Sequence, residues 1–187
     1  EPIGETLLPA VQIEEELVQR ARLRLAELTA KLGIGSVRRD VAAGNVKAEI
    51  VRAAQDRDLP VVISFTVETD GLLPTGQSLG DAIAEVDDSS GGYPLYYMIN
   101  CAHPTHFEQR LVGDAAWHKR VRGVRGNASK CSHAELDASE ALDAGNPGEF
   151  ASDYLRLQQL LPDLRVYGGC CGTDLRHVAS IARASLV

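Results

Sequence analysis

The stretch that most restricts the fold is Val61-Val62-Ile63-Ser64-Phe65-Thr66. Its β-branched and apolar residues fall on both faces of an extended chain, which marks a parallel strand covered by helices. Leu95-Tyr96-Tyr97-Met98-Ile99-Asn100 is a second such run, and Val121 to Asn127 and Leu164-Arg165-Val166-Tyr167 read as a third and a fourth strand. Helical patterns fill the intervals. Strands alternating with helices indicate an α/β fold with a parallel sheet, either an open doubly wound sheet or a (β/α)8 barrel. In both, functional residues gather where strands end and helices begin.

The helices are read from spacing. Ile13, Leu17, Ala21, Leu25, Leu28 and Leu32 recur every three or four residues, which predicts an amphipathic helix over 10–32. From Gly33 to Asn45 the pattern dissolves into loop or a very short strand. Further helices are expected over Lys47 to Arg57, Leu79 to Val86, near Thr105 to Trp117, Phe150 to Leu161, and from Asp174 onward. Ser132-His133-Ala134-Glu135 has the form of a capping box opening one short helix. The 187 residues are read as a single domain, 1–187.

Charge and cysteine usage narrow the partners. A formal net charge of −7 disfavours a nucleic-acid or anionic-membrane partner, since both call for a basic face, and points to small molecules. No apolar run approaches a membrane span, and Glu1-Pro2-Ile3-Gly4-Glu5 lacks the features of a signal peptide. A cytoplasmic location is therefore expected. In a reducing compartment the 4 cysteines are thiols or metal ligands rather than disulfides.

Two of them stand together in Tyr167-Gly168-Gly169-Cys170-Cys171-Gly172-Thr173, where a strand turns into a helix. The glycines let the backbone turn sharply, because they carry no Cβ penalty at positive φ. Cys101 ends another strand. Three thiolates from two strand ends of one parallel sheet could hold zinc and leave a fourth tetrahedral position open, the mark of a catalytic site. A substrate thiol bound there would lose its proton and become a nucleophile. Cys131 has no such support and reads as a spare buried thiol.

The residues also carry a family resemblance. Gly168 to Thr173 as GGCCGT, with Asn100-Cys101 ending an earlier strand, resembles the zinc site of the homocysteine S-methyltransferases. Agreement extends through residues 64–71, 98–104, 125–129 and 132–136, so the resemblance covers 48–187. It implies a (β/α)8 barrel in which Cys101, Cys170 and Cys171 hold zinc. It also implies homocysteine as methyl acceptor, giving methionine, with S-methylmethionine, S-adenosylmethionine, betaine or methyltetrahydrofolate as donor. Such a barrel takes about 250 residues, and the chain is expected to lack parts of its N-terminal half.

Other candidates lie near strand ends. Glu68 and Asp70 could bind the ammonium group of an amino-acid substrate, and Asn100 and Asn127 could orient a ligand or a cysteine. His103 is placed near the pocket with a possible substrate contact. His133 reads as an exposed first-turn residue, and His177 as structural. Arg120, Arg122 and Arg125 read as a solvent-facing or ion-paired row. Two alternatives remain at this point: a redox protein using Cys170 and Cys171 as a vicinal dithiol, and a non-catalytic zinc-binding remnant of a barrel.

Overall fold

The computed structural model describes residues 10–44 and 46–185. They fall into two compact units, one within 1–59 and one within 60–187. In the first, helix α1 (Ala10–Lys31) takes up the predicted amphipathic stretch, and α2 (Val46–Gln55) follows a connection whose described residues form no strand. The α1 C-terminus closes with Gly33 at φ 69° and the Ile34 N–H on the Thr29 carbonyl (3.0 Å). Arg39 donates to the Thr29 hydroxyl, and Arg57 pairs with Asp40 at 2.7 Å. The stripe of Ile13, Leu17, Leu28 and Leu32 along and just beyond α1 is exposed.

The second unit is built on four parallel strands in the order β1-β2-β3-β4: Val62–Thr66, Tyr96–Asn100, Val121–Gly126 and Val166–Gly169. Register sets two kinds of row across them. Phe65, Ile99, Val124 and Tyr167 align on one face and belong to the core. Thr66, Asn100, Arg125 and Gly168 align on the other.

Helices α3 (Leu79–Ser90), α6 (Pro147–Leu160) and α7 (Leu175–Ser185) bring Leu79, Ile83, Phe150, Tyr154, Leu157 and Ile181 into the core of the first face. The opposite face is open: Val62 is 39% and Val166 37% exposed, and Ser64 and Arg125 are exposed too. The double-sided covering expected from Val61 to Thr66 is therefore corrected to one side. The apolar run reported the strand faithfully, but coverage depends on which layers pack on it.

Other departures have local causes. The helix expected near Thr105 to Trp117 is one α turn, α4 (Pro104–Phe107), followed by 3-10 turns at Glu108–Leu111 and Ala116–Arg120. Gly113, at φ 100°, interrupts the path between them, while Phe107 and Leu111 still reach the core. Helix α3 runs past Val86 to Ser90, where Gly91 takes a left-handed cap at φ 66°. Arg120 lies outside the strand and grips Asp87 with two nitrogens (2.9 and 2.7 Å), stacked over Tyr97. The arginine period breaks at Arg122, which β3 carries as an extra residue where its register on β2 shifts.

Candidate metal centre

β2 ends at Asn100, and the next residue, Cys101, sits at φ 56°. A left-handed backbone at a residue with a Cβ costs about 1–2 kcal/mol, so something must hold it. Its N–H donates to the Arg125 carbonyl (3.1 Å). Its carbonyl accepts two bonds, from Asn127 Nδ2 (3.0 Å) and from His133 Nε2 (2.5 Å). Both lone pairs of that oxygen are thereby used.

The other cysteines follow β4. Gly169 pairs with Gly126 at its end, and a Cβ on Gly169 would fall 2.0 Å from the Thr173 hydroxyl. That glycine serves the close return of Thr173, whose hydroxyl donates to the Cys170 carbonyl (2.7 Å). Of the three framing glycines only Gly172 needs positive φ, at 76°. The end of β3 lies between the two cysteine turns: Cys170 N–H donates to Gly126 O (2.7 Å), and Ala128 N–H to Cys171 O (2.9 Å). Asn127, 3% exposed, accepts from Cys171 N–H at 3.2 Å while its amide nitrogen reaches Cys101. One buried amide thus spans both turns.

Beneath them the Tyr154 hydroxyl accepts from Gly126 N–H (2.8 Å) and donates to Gly168 O (2.6 Å), tying β3 to β4 from the core side. The result is a cluster of three sulfurs, those of Cys101, Cys170 and Cys171, all within 4.8 Å of one another. Cys101 and Cys170 are 2.8 Å apart. Tetrahedral zinc with sulfur bonds of about 2.3 Å spaces its sulfurs about 3.8 Å apart. That spacing lies within the range the three side chains occupy, and a thiolate-rich set with one position to spare suits this ion.

The three thiols do not ionise alike. For Cys170, burial works against the thiolate, but hydrogen bonds from Cys101, Arg125 and Cys171 outweigh it and take the group below its usual value. Burial raises Cys101, with the Cys170 contact adding to it, and burial with the neighbouring Cys170 charge raises Cys171. A bound cation would be needed to hold all three as thiolates together.

The remaining candidates divide. Glu68, past the end of β1, has one carboxylate oxygen 3.2 Å from His133 Nδ1. Asn100 is on the open face, donating to the Thr66 hydroxyl (3.1 Å) and accepting from Ser64. Asp70 is exposed and closes its own turn through the Leu72 N–H (3.0 Å). His103 is turned into the protein at 2% exposure, its ring against Phe150 and its Nε2 3.5 Å from Asp153 Oδ2. Burial first, then the nearby cations, push its pKa down to about 4, so it is neutral. His177 is fully buried, bonded to the Ala144 carbonyl at 2.8 Å. Cys131 is exposed rather than buried, because its loop turns outward with the Cys131 N–H on the Ser129 hydroxyl (3.1 Å).

His133 was missed as a site residue. Its capping box is present as expected, with Ser132 N–H on Glu135 Oε2 (2.8 Å) opening the short helix α5 (His133–Asp137). Yet the ring is only part-exposed and both its nitrogens face oxygen acceptors, Glu68 and the Cys101 carbonyl. Both bonds form only if the ring carries two protons, and its pKa is raised chiefly by the Cys101 carbonyl. A serine three residues before a glutamate was the only signal nearby, and it signalled a cap with His133 just inside it.

Fold and site together define a parallel α/β protein with a tri-cysteine centre at the C-terminal ends of its strands. Residues 40–185 match the homocysteine S-methyltransferase family, and the chain belongs to it. The methionine synthases of Mycobacterium leprae (strain TN) and Mycobacterium tuberculosis (strain ATCC 25618 / H37Rv) are each 29% identical over 147 residues, covering 68% of this chain. The chain spans 10% of the length of these curated relatives. No solved structure matches. Among the described residues no helix is long and apolar enough to cross a membrane.

Proposed function

We propose that this chain carries a thiol-methylating centre: zinc held by Cys101, Cys170 and Cys171, homocysteine as methyl acceptor, and a small molecule as methyl donor. The observation that carries the reading is the convergence of three sulfurs from two strand ends, in a chain of this family. Cys101, Cys170 and Cys171 would hold the zinc, which would supply the Lewis acidity that keeps a substrate thiol ionised at neutral pH. That sulfur attacks the donor methyl carbon in line. A sulfur–carbon bond forms as the donor's own bond to the methyl group breaks, and the electron pair leaves with the donor. The substrate thiol would give up its proton to solvent as it binds, so no separate general base is needed.

The protein's part is placement. Asn127 fixes the spacing of the cysteine turns. Glu68 is available for the substrate ammonium through the oxygen that does not face His133. Thr66, Asn100 and Arg125 form a polar row on the open face below Cys101. The sheet order runs 1-2-3-4 without the reversal that marks a doubly wound sheet. This supports reading the four strands as consecutive units of a (β/α)8 barrel, with the open face as its interior.

Metal analysis of the purified chain should give one equivalent of zinc, absent from Cys101→Ala, Cys170→Ala and Cys171→Ala. Methionine formation from homocysteine, assayed with S-methylmethionine, S-adenosylmethionine, betaine and methyltetrahydrofolate in turn, identifies the donor. Retention of one zinc equivalent by all three variants would overturn the reading. The 2.8 Å approach of Cys101 and Cys170 favours one second reading, a dithiol that closes a disulfide and gives two electrons and two protons to an added oxidant. Loss of two titratable thiols on mild oxidation of a zinc-free, methylation-inactive wild-type chain would support it.

A further inference from the structure

We infer that His133 is a positioning residue for the metal centre: it holds the Cys101 turn in its left-handed setting and links that turn to Glu68. The inference rests on the zinc reading above and adds a residue outside the ligand set. Cys101 is one of two described non-glycine residues with positive φ, the other being Asp58 in the first unit. Relaxing that backbone would swing the Sγ away from the Cys170 and Cys171 sulfurs, because a changed φ rotates the Cα–Cβ direction. Two side chains oppose the relaxation by bonding the Cys101 carbonyl, Asn127 from below and His133 from the α5 side.

Asn127 is anchored by the strand that carries it. His133 is anchored by its helix cap: the Ser132 hydroxyl accepts from Glu135 N–H (3.3 Å) and Glu135 returns to Ser132 N–H, which fixes where α5 begins. As the first residue after that cap, His133 projects back over the end of β2. Its second nitrogen meets Glu68, on the loop after β1. The imidazole therefore braces the ends of two neighbouring strands from a third loop. Partners that orient metal ligands in this way typically change metal affinity by 10–100-fold when lost.

The test uses cobalt(II) as a spectroscopic stand-in for zinc in the 187-residue chain. His133→Ala should weaken cobalt binding by about tenfold or more and alter the d–d and thiolate charge-transfer bands, while the metal-free melting temperature stays near wild type. His133→Gln, which places an amide nitrogen where Nε2 stood, should restore the wild-type spectrum. Glu68→Gln should leave cobalt affinity within about twofold, since the Cys101 carbonyl keeps both donors. Wild-type affinity and bands in His133→Ala would overturn the inference. If His133→Ala also melts early, His133→Gln decides: an alanine-like spectrum overturns the inference, and a wild-type spectrum supports it. A wild-type chain that takes up no cobalt overturns the zinc reading itself, a failure visible before any variant is made.

Discussion

The two faces of the four-stranded sheet are made from the same strands and differ at every level. On the helix-covered face, Phe65, Tyr97, Ile99 and Val124 pack with Phe150, Tyr154 and Leu157, and this layer supplies the unit's hydrophobic stability. On the open face, Ser64, Thr66, Asn100 and Arg125 put hydroxyls, an amide and a guanidinium in register, and at its upper end the cysteines converge. Stability and chemistry are separated by one residue of strand register. The contacts that join the faces are few, chiefly Tyr154 under Gly126 and Gly168 and Asn127 between the cysteine turns.

That separation can be broken at graded cost. The largest effect is expected at the open end, where Cys171→Ala should weaken metal binding by more than the roughly 10–100-fold of losing an outer partner. The metal-free unfolding midpoint should barely move. A large loss of stability there would show that the two faces are not independent. On the covered face, Leu157→Ala should cost about 3 kcal/mol in urea unfolding, as expected for a side chain with no exposure. Metal bound per folded molecule should be unchanged.

Tyr154→Phe tests the join. Removing its hydroxyl strands the Gly126 N–H in a buried place and should cost about 1–2 kcal/mol. It should also loosen the metal site, which Leu157→Ala should not. Smaller again is the Asp87 ion pair at the base of the covered face. Arg120 holds the Asp87 carboxyl below its usual value. Its contribution is therefore complete above the unfolded-state pKa and is lost as pH falls through the lower folded-state value. Wild type should lose about 1 kcal/mol relative to Asp87→Asn when unfolding is compared at pH 6 and pH 3. Least of all, Val62→Thr on the open face should change stability by no more than about 0.5 kcal/mol, although its neighbour Ile63 packs against the core.

Much of this was legible from sequence where local chemistry suffices. The four strands were placed within a residue or two at most ends, because short apolar runs between helical patterns have few alternatives. The cap at Ser132 was found because its two hydrogen bonds lie within four residues. The cysteine turn stood out because two thiols framed by glycines make a poor core. Illegible features were those whose partners lie far along the chain. Nothing near Val61 to Thr66 says which face will be covered. Nothing near Thr105 says that Gly113 will break a helix whose buried contacts are already met by Phe107 and Leu111. His103 follows a presumed ligand by two residues yet packs against Phe150 and faces Asp153, while His133, 32 residues from Cys101, touches its carbonyl.

The sequence by itself determined an α/β chain, the positions of its strands, and the residues able to ligate a metal, since each follows from periodicity and side-chain type over a few residues. The tertiary structure alone decided that one face of the sheet is open and that Cys101 takes a left-handed turn beside Cys170. It also decided that Asn127 and His133 converge on one carbonyl. Parallel strands reach each other only through long crossovers, so contacts between their ends depend on sheet order and register, which no local pattern encodes.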